Sequence, residues 1–128
     1  MCKHLFSAAL SFLLSIYTLM GFNQSVQSRE IEFLKSQIKP RIVIFSANWC
    51  LPCKMIHKWI KEDTAIKNLL SHYEVEIYDY DLDKDMRTKY NVTKIPTLIV
   101  IKNEEEQDRR IGIATGKRGL ELFLEAYK

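Results

Sequence analysis

Two cysteines, Cys50 and Cys53, have the types and spacing in this chain best suited to chemistry. A Cys-x-x-Cys pair can close into a disulfide and reopen, or offer two thiolates to a metal. Its surroundings bear on the choice. The apolar run Ile42-Val43-Ile44-Phe45 comes first and reads as a buried strand rich in β-branched residues. After the pair, Met55, Ile56, Trp59 and Ile60 recur at helical spacing. Cys50 therefore stands where a strand gives way to a helix. A helix N-terminus carries partial positive charge and free N–H groups, and a thiolate, the reactive form of cysteine, is stabilised there. Cys50 is expected to be the exposed attacking sulfur, with Cys53 one turn further in and able to bond to it. Pro52 falls in the first helical turn, where its missing N–H costs nothing and its fixed φ suits the helix.

A zinc site would recruit His57, one turn along, as a third ligand. Structural zinc usually takes four ligands, often from a second Cys/His pair, and the chain has no such pair. An inert disulfide is a weak alternative, because so short a loop gives little entropic stabilisation. A redox-active dithiol is the expected reading, with no metal and no organic cofactor. His57 itself reads as solvated or partly packed, with a role in tuning the thiols as the sharper alternative. The run Asp79, Asp81, Asp83 and Asp85 alternates as a calcium loop does, but it lacks the glycine and the closing glutamate of one. It reads as a solvated loop, with Asp83 capping a helix over 84–90.

The segment Phe45-Ser46-Ala47-Asn48-Trp49-Cys50-Leu51-Pro52-Cys53-Lys54 resembles the active-site segment of the thioredoxin family, and Lys94-Ile95-Pro96-Thr97 resembles that family's second mark. The likeness runs from about Arg29 to Lys128. It implies a cis-proline at Pro96 beside the cysteine pair. The backbone of Ile95 would then receive an extended client strand by β-augmentation. Gly112 would line the same groove, and Trp49 would shield and pack the site. The activity implied is thiol–disulfide exchange. One departure stands out. Many members carry a buried aspartate on the strand before the site. Here that position holds Ile44, and the usual lysine partner maps near Asp79. Asp79 is accordingly the candidate for moving a proton to and from Cys53; ionised and facing the site, it would hold a thiol pKa up by like-charge repulsion. Leu51-Pro52 resembles the Gly-Pro of reducing members more than the x-His of oxidases and isomerases, so a protein-disulfide reductase is expected. The alternatives are an oxidase or isomerase, or a binding or chaperone module with incidental thiols.

A chain of 128 residues, 47% apolar and 27% charged, fits one domain with a sizeable core. The net charge of +3 is small and the signs are interspersed, which argues against a nucleic-acid partner. Residues 1–28 differ in character: Lys3 is the basic start, residues 5–22 form a mostly apolar run, and a polar stretch follows. This is the layout of a signal peptide cut before Arg29. A membrane anchor competes, since eighteen helical residues span about 27 Å against a bilayer core of about 30 Å. Either places residues 29–128 outside the cytoplasm, in the periplasm or secreted. Disulfide-bearing client proteins and a membrane thiol–electron relay are then the implied partners of a monomer. Within 29–128 the pattern predicts a helix over 29–39 ended by Pro40, the strand before the site, one helix over 51–70, and a strand over 75–80 with Val75 and Ile77 inward. A helix over 84–90, a strand over 97–101, a polar hairpin, a last strand at 111–113, a turn over 116–119 and a closing helix follow. The fold class is α/β, a thioredoxin fold with a mixed sheet of four strands, or five if residues 22–28 form a first one.

Overall fold

Helix α1 covers residues 27–34 in a computed structural model that describes residues 27–34 and 38–128. The chain divides into two units, Met1–Gln37 and Ile38–Lys128. The signal or anchor segment expected over 1–28 lies outside the described residues, apart from Gln27 and Ser28, as does most of the candidate first strand. Of the helix expected over 29–39, the described part ends at Leu34, and its apolar Ile31, Phe33 and Leu34 are exposed rather than buried.

The second unit runs β1 (Arg41–Ser46), α2 (Leu51–Glu62), α3 (Thr64–Leu70), β2 (Glu74–Asp79), α4 (Lys84–Lys89), β3 (Thr97–Lys102), β4 (Glu105–Ile111) and α5 (Gly116–Tyr127). The strands form a mixed sheet in the order β2-β1-β3-β4, with β1 parallel to β2 and the other pairs antiparallel. This is the four-stranded thioredoxin fold expected. The run Ile42–Phe45 is unbroken in hydrophobicity because β1 is buried on both faces. Ile42 and Ile44 pack with Ile56, Ile66, Leu98 and Phe123 on one side. Val43 and Phe45 pack with Ile99, Ile101 and Val92 on the other. Phe45 lies 5.5 Å, ring to ring, from Tyr78 and 5.9 Å from Tyr90. Fixing β1 by both layers fixes its end, from which the cysteine loop starts.

Three expected boundaries shift, and one expected burial is reversed. The helix over 51–70 is two helices, because Asp63 adopts an extended conformation and its carboxylate accepts the Ile66 N–H at 3.1 Å, capping α3. Lys117 reaches the same carboxylate at 2.7 Å, and that hydrogen bond holds the Asp63 carboxyl below the usual range. Val75 and Ile77 are 39% and 48% exposed instead of inward, β2 being an edge strand of the sheet. The last strand begins at Glu105, not Ile111: Asn103 and Glu104, with φ of 54° and 64°, make a two-residue turn of the kind hairpins favour. Finally, α5 begins at Gly116, so the expected turn over 116–119 is its first helical turn. There Gly119 leaves room for Arg110, whose Nη1 donates to the Gly119 carbonyl at 2.7 Å; a Cβ would sit 2.9 Å from that nitrogen and closer still to Thr115.

One buried hydroxyl links α5 to the rest. Tyr73 O–H donates to the Leu124 carbonyl at 2.6 Å, and burial pushes its pKa up to about 12 from 10.0. A raised folded-state pKa means the unfolded chain ionises first. The stability this tyrosine contributes is therefore complete below pH 10 and is lost as pH climbs to about 12. A Tyr73→Phe variant is expected to lose about 1 kcal/mol at pH 7 for the missing hydrogen bond. It should also decline less steeply in stability than the parent between pH 10 and 12 in urea titrations. Equal slopes for the two proteins would contradict this assignment.

Candidate active site

Cys50 and Cys53 are joined as a disulfide, with their Cα atoms 5.2 Å apart. Cys50 is the N-cap of α2, and the Cys53 N–H donates to its sulfur at 3.2 Å. Pro52 occupies the first turn as expected, and no acidic residue there opposes the positive helix end. The expectation of an exposed Cys50 needs correction: it is 5% exposed and Cys53 0%, because Ala47, Tyr80 and Ile95 pack around the pair. The exposed flank belongs to the neighbours, Trp49 at 65% and Leu51 at 72%. Trp49 thus stands at the surface rather than packing into the core, held by its indole N–H donating to Asp81 Oδ2 at 2.7 Å.

The Ile95–Pro96 peptide is cis, and Ile95 packs against the cysteine cluster. The Gly112 N–H donates to the Pro96 carbonyl at 2.8 Å, which brings the end of β4 beside the start of β3. Gly112 has φ of +79°, a conformation that L side chains rarely adopt. A Cβ there would meet nothing within 4 Å, so its backbone conformation, not a close neighbour, calls for glycine, and open space remains beside it.

The acidic run is more ordered than a solvated loop. Asp79 Oδ1 accepts the N–H groups of Asp81 at 2.9 Å and Leu82 at 3.1 Å, while Asp83 Oδ2 accepts the Asp79 N–H at 2.6 Å. Asp83 is the N-cap residue of α4 but makes no side-chain cap bond; its carboxylate points back into this turn. The register of β1 and β2 sets Ile77 opposite Ile44, and Asp79 opposite Ser46. Ile44 therefore forms an aliphatic pair with Ile77 across the two strands, and Asp79, near which the usual lysine partner was expected to map, lies further along the sheet.

Sequence reasoning missed three residues around the pair. Tyr80 packs on the cysteine cluster, with its hydroxyl donating to the Thr93 carbonyl at 3.2 Å and the Arg87 guanidinium 4.6 Å over its ring. Asp81 holds Trp49. Ser46, buried at the end of β1, pairs its hydroxyl with His57 Nε2 at 2.9 Å. The parity of the acidic run could have paired Asp81 with the site, but a contact between Ser46 and His57 has no local signal. Among the described residues no group of three or more His, Cys, Asp or Glu side chains could hold a metal ion.

The family model described as Thioredoxin matches residues 21–126. The chain is 36% identical over 94 residues to the thioredoxin of Rickettsia bellii, covering 73% of this chain and 87% of that one. It is 30% identical over 105 residues to the chloroplastic thioredoxin M4 of Arabidopsis thaliana, covering 82% of this chain and 52% of that protein. Among solved structures, the thioredoxin of Plasmodium falciparum superposes with a TM-score of 0.61 at 30% identity, over 78% of this chain and 93% of that one. These findings overturn the expected extracytoplasmic placement. The similar proteins are thioredoxins of Rickettsia and of the chloroplast.

Proposed function

This chain belongs to the thioredoxin family of protein-disulfide reductases, and from that premise we infer that Cys50 attacks the client disulfide and Cys53 resolves the product. The reading rests on one observation: the Cys50 sulfur caps α2 and receives the Cys53 N–H at 3.2 Å, a place that stabilises a thiolate. The Cys50 thiolate attacks one sulfur of the client disulfide, the client S–S bond breaks, and the other client sulfur leaves with the electron pair and takes a proton. Cys53, as thiolate, then attacks Cys50. The mixed disulfide breaks, the Cys50–Cys53 bond forms, and the client leaves with two thiols. The protein dithiol is oxidised by two electrons and the client disulfide is reduced by two. The family performs this exchange with the cysteine pair itself and needs no bound cofactor.

Ile95, Pro96 and Gly112 form the docking groove in this reading. The Ile95 backbone offers hydrogen bonds to an extended client segment, and the open space at Gly112 leaves room for it. Trp49, held by Asp81, and Pro52 frame the attacking sulfur. Asp79 supports the site by building the turn after β2. The working domain is residues 29–128, acting as a monomer on disulfide-bearing proteins. The membrane electron relay followed only from the extracytoplasmic placement and is dropped with it.

Equilibration of the full chain with a glutathione buffer tests the direction. A potential near about −270 mV, as for thioredoxin, is expected, and one near about −120 mV would reassign the protein as an oxidase.

A further inference from the structure

Resolution of the mixed disulfide requires a proton to leave Cys53, whose residue is 0% exposed. Its surroundings supply few takers. Ala47 and Ile95 carry no titratable group, and the Tyr80 hydroxyl is engaged with the Thr93 carbonyl. On the sheet, Ile44 and Ile77 face each other, and Asp79 Oδ1 already accepts two backbone N–H groups. His57 is different. It lies four residues after Cys53 on α2, a spacing that puts two side chains on one helix face about 5–6 Å apart at Cβ. It is half-buried, and its Nε2 is fixed on the buried Ser46 hydroxyl at 2.9 Å.

We propose that His57, held by Ser46, accepts the proton of Cys53 during resolution and returns it when the Cys50–Cys53 disulfide is reduced. The proposal rests on the reading of Cys53 as the resolving sulfur. The partner is suited to the task. When Nε2–H donates to the Ser46 hydroxyl, the neutral imidazole leaves Nδ1 bare. The pair with Ser46 therefore persists while Nδ1 gains and loses the proton. The balance is simple. The Cys53 S–H bond breaks and its proton passes to the imidazole. The Cys53 thiolate forms the bond to Cys50, and the client sulfur leaves with the electron pair and takes up a proton. Within four positions of His57 on α2 the charged residues are Lys54, Lys58 and Lys61, and Asp79 stands opposite Ser46, the partner of His57, in the register of β1 and β2.

The test is single-turnover oxidation of the reduced full chain by excess oxidised glutathione. Attack by Cys50 scales with oxidant concentration, whereas resolution appears as a plateau rate. In His57→Ala the plateau is expected to fall about tenfold or more, with the concentration-dependent phase unchanged and free imidazole restoring the plateau in proportion to its concentration. His57→Gln, which can keep a hydrogen bond to Ser46 but cannot take the proton, should show the same fall with an unchanged urea midpoint. Plateaus within twofold of the parent in both variants would overturn the proposal. So would a fall that imidazole does not restore, since lost packing alone gives that result. Failure of the underlying reading looks different: a Cys53→Ser protein would then release both client thiols, the second as fast as the parent, instead of stopping at the mixed disulfide after the first.

Discussion

A Cys50→Ser variant is expected to reduce disulfides no faster than the uncatalysed background, a loss of about 10⁴-fold or more on the scale seen when an enzyme nucleophile is removed. Its fold should survive. Serine is a good N-cap and can still accept the Cys53 N–H, and a disulfide closing so short a loop adds little stability. Cys53→Ser should behave differently: attack proceeds, resolution cannot, and the protein accumulates as a covalent adduct with its client. A non-reducing gel shows that adduct, and dithiothreitol releases it. Residual turnover in Cys50→Ser, or adducts formed by Cys50→Ser instead of Cys53→Ser, would reverse the assigned roles.

The second large effect is on stability. Ile44→Asp places a carboxylate at a position 1% exposed, opposite Ile77. With no cation at that register the expected cost is about 3–5 kcal/mol, that of an uncompensated buried charge, measured by urea unfolding at pH 7. Burial raises a carboxylate's folded-state pKa, so the deficit should shrink as pH falls toward the unfolded value of about 3.9 and grow as pH rises through the folded one. Adding Ile77→Lys should recover only part of the loss, because position 77 is 48% exposed and a half-solvated ion pair is weak. A cost below about 1 kcal/mol at pH 7, the size of a mere Ile→Val trim, would mean that this part of the core is wetter than the packing indicates. Both outcomes bear on function, since they ask whether the aliphatic pair was free to be anything else.

What could be read from the chain was local. The strand before Cys50, the helix after it and the role of Pro52 in the first turn all follow from neighbours in sequence. The break at Asp63 escaped notice because Trp59, Ile60, Ile66, Leu69 and Leu70 keep helical spacing across it; a capping carboxylate overrides that periodicity. The hairpin was misplaced because Asn103-Glu104 makes its turn without the glycine that usually marks one. Val75 and Ile77 alternate like inward residues, yet a strand's place in the sheet decides what covers it, and place is a tertiary fact. The same holds at the site. Cys50 and Cys53 announce themselves by spacing, whereas Ser46 and His57 meet only because β1 and α2 pack together.

The far end of the sheet has a bearing on handling. From Glu105 to Arg110 every residue of β4 is charged or an amide. An apolar segment of a neighbouring molecule laid along that border would strand charge against hydrocarbon, so fibrils have no easy starting line there even in concentrated solution. Exchanging Glu105 and Gln107 for valine would remove that guard while leaving the cysteines untouched.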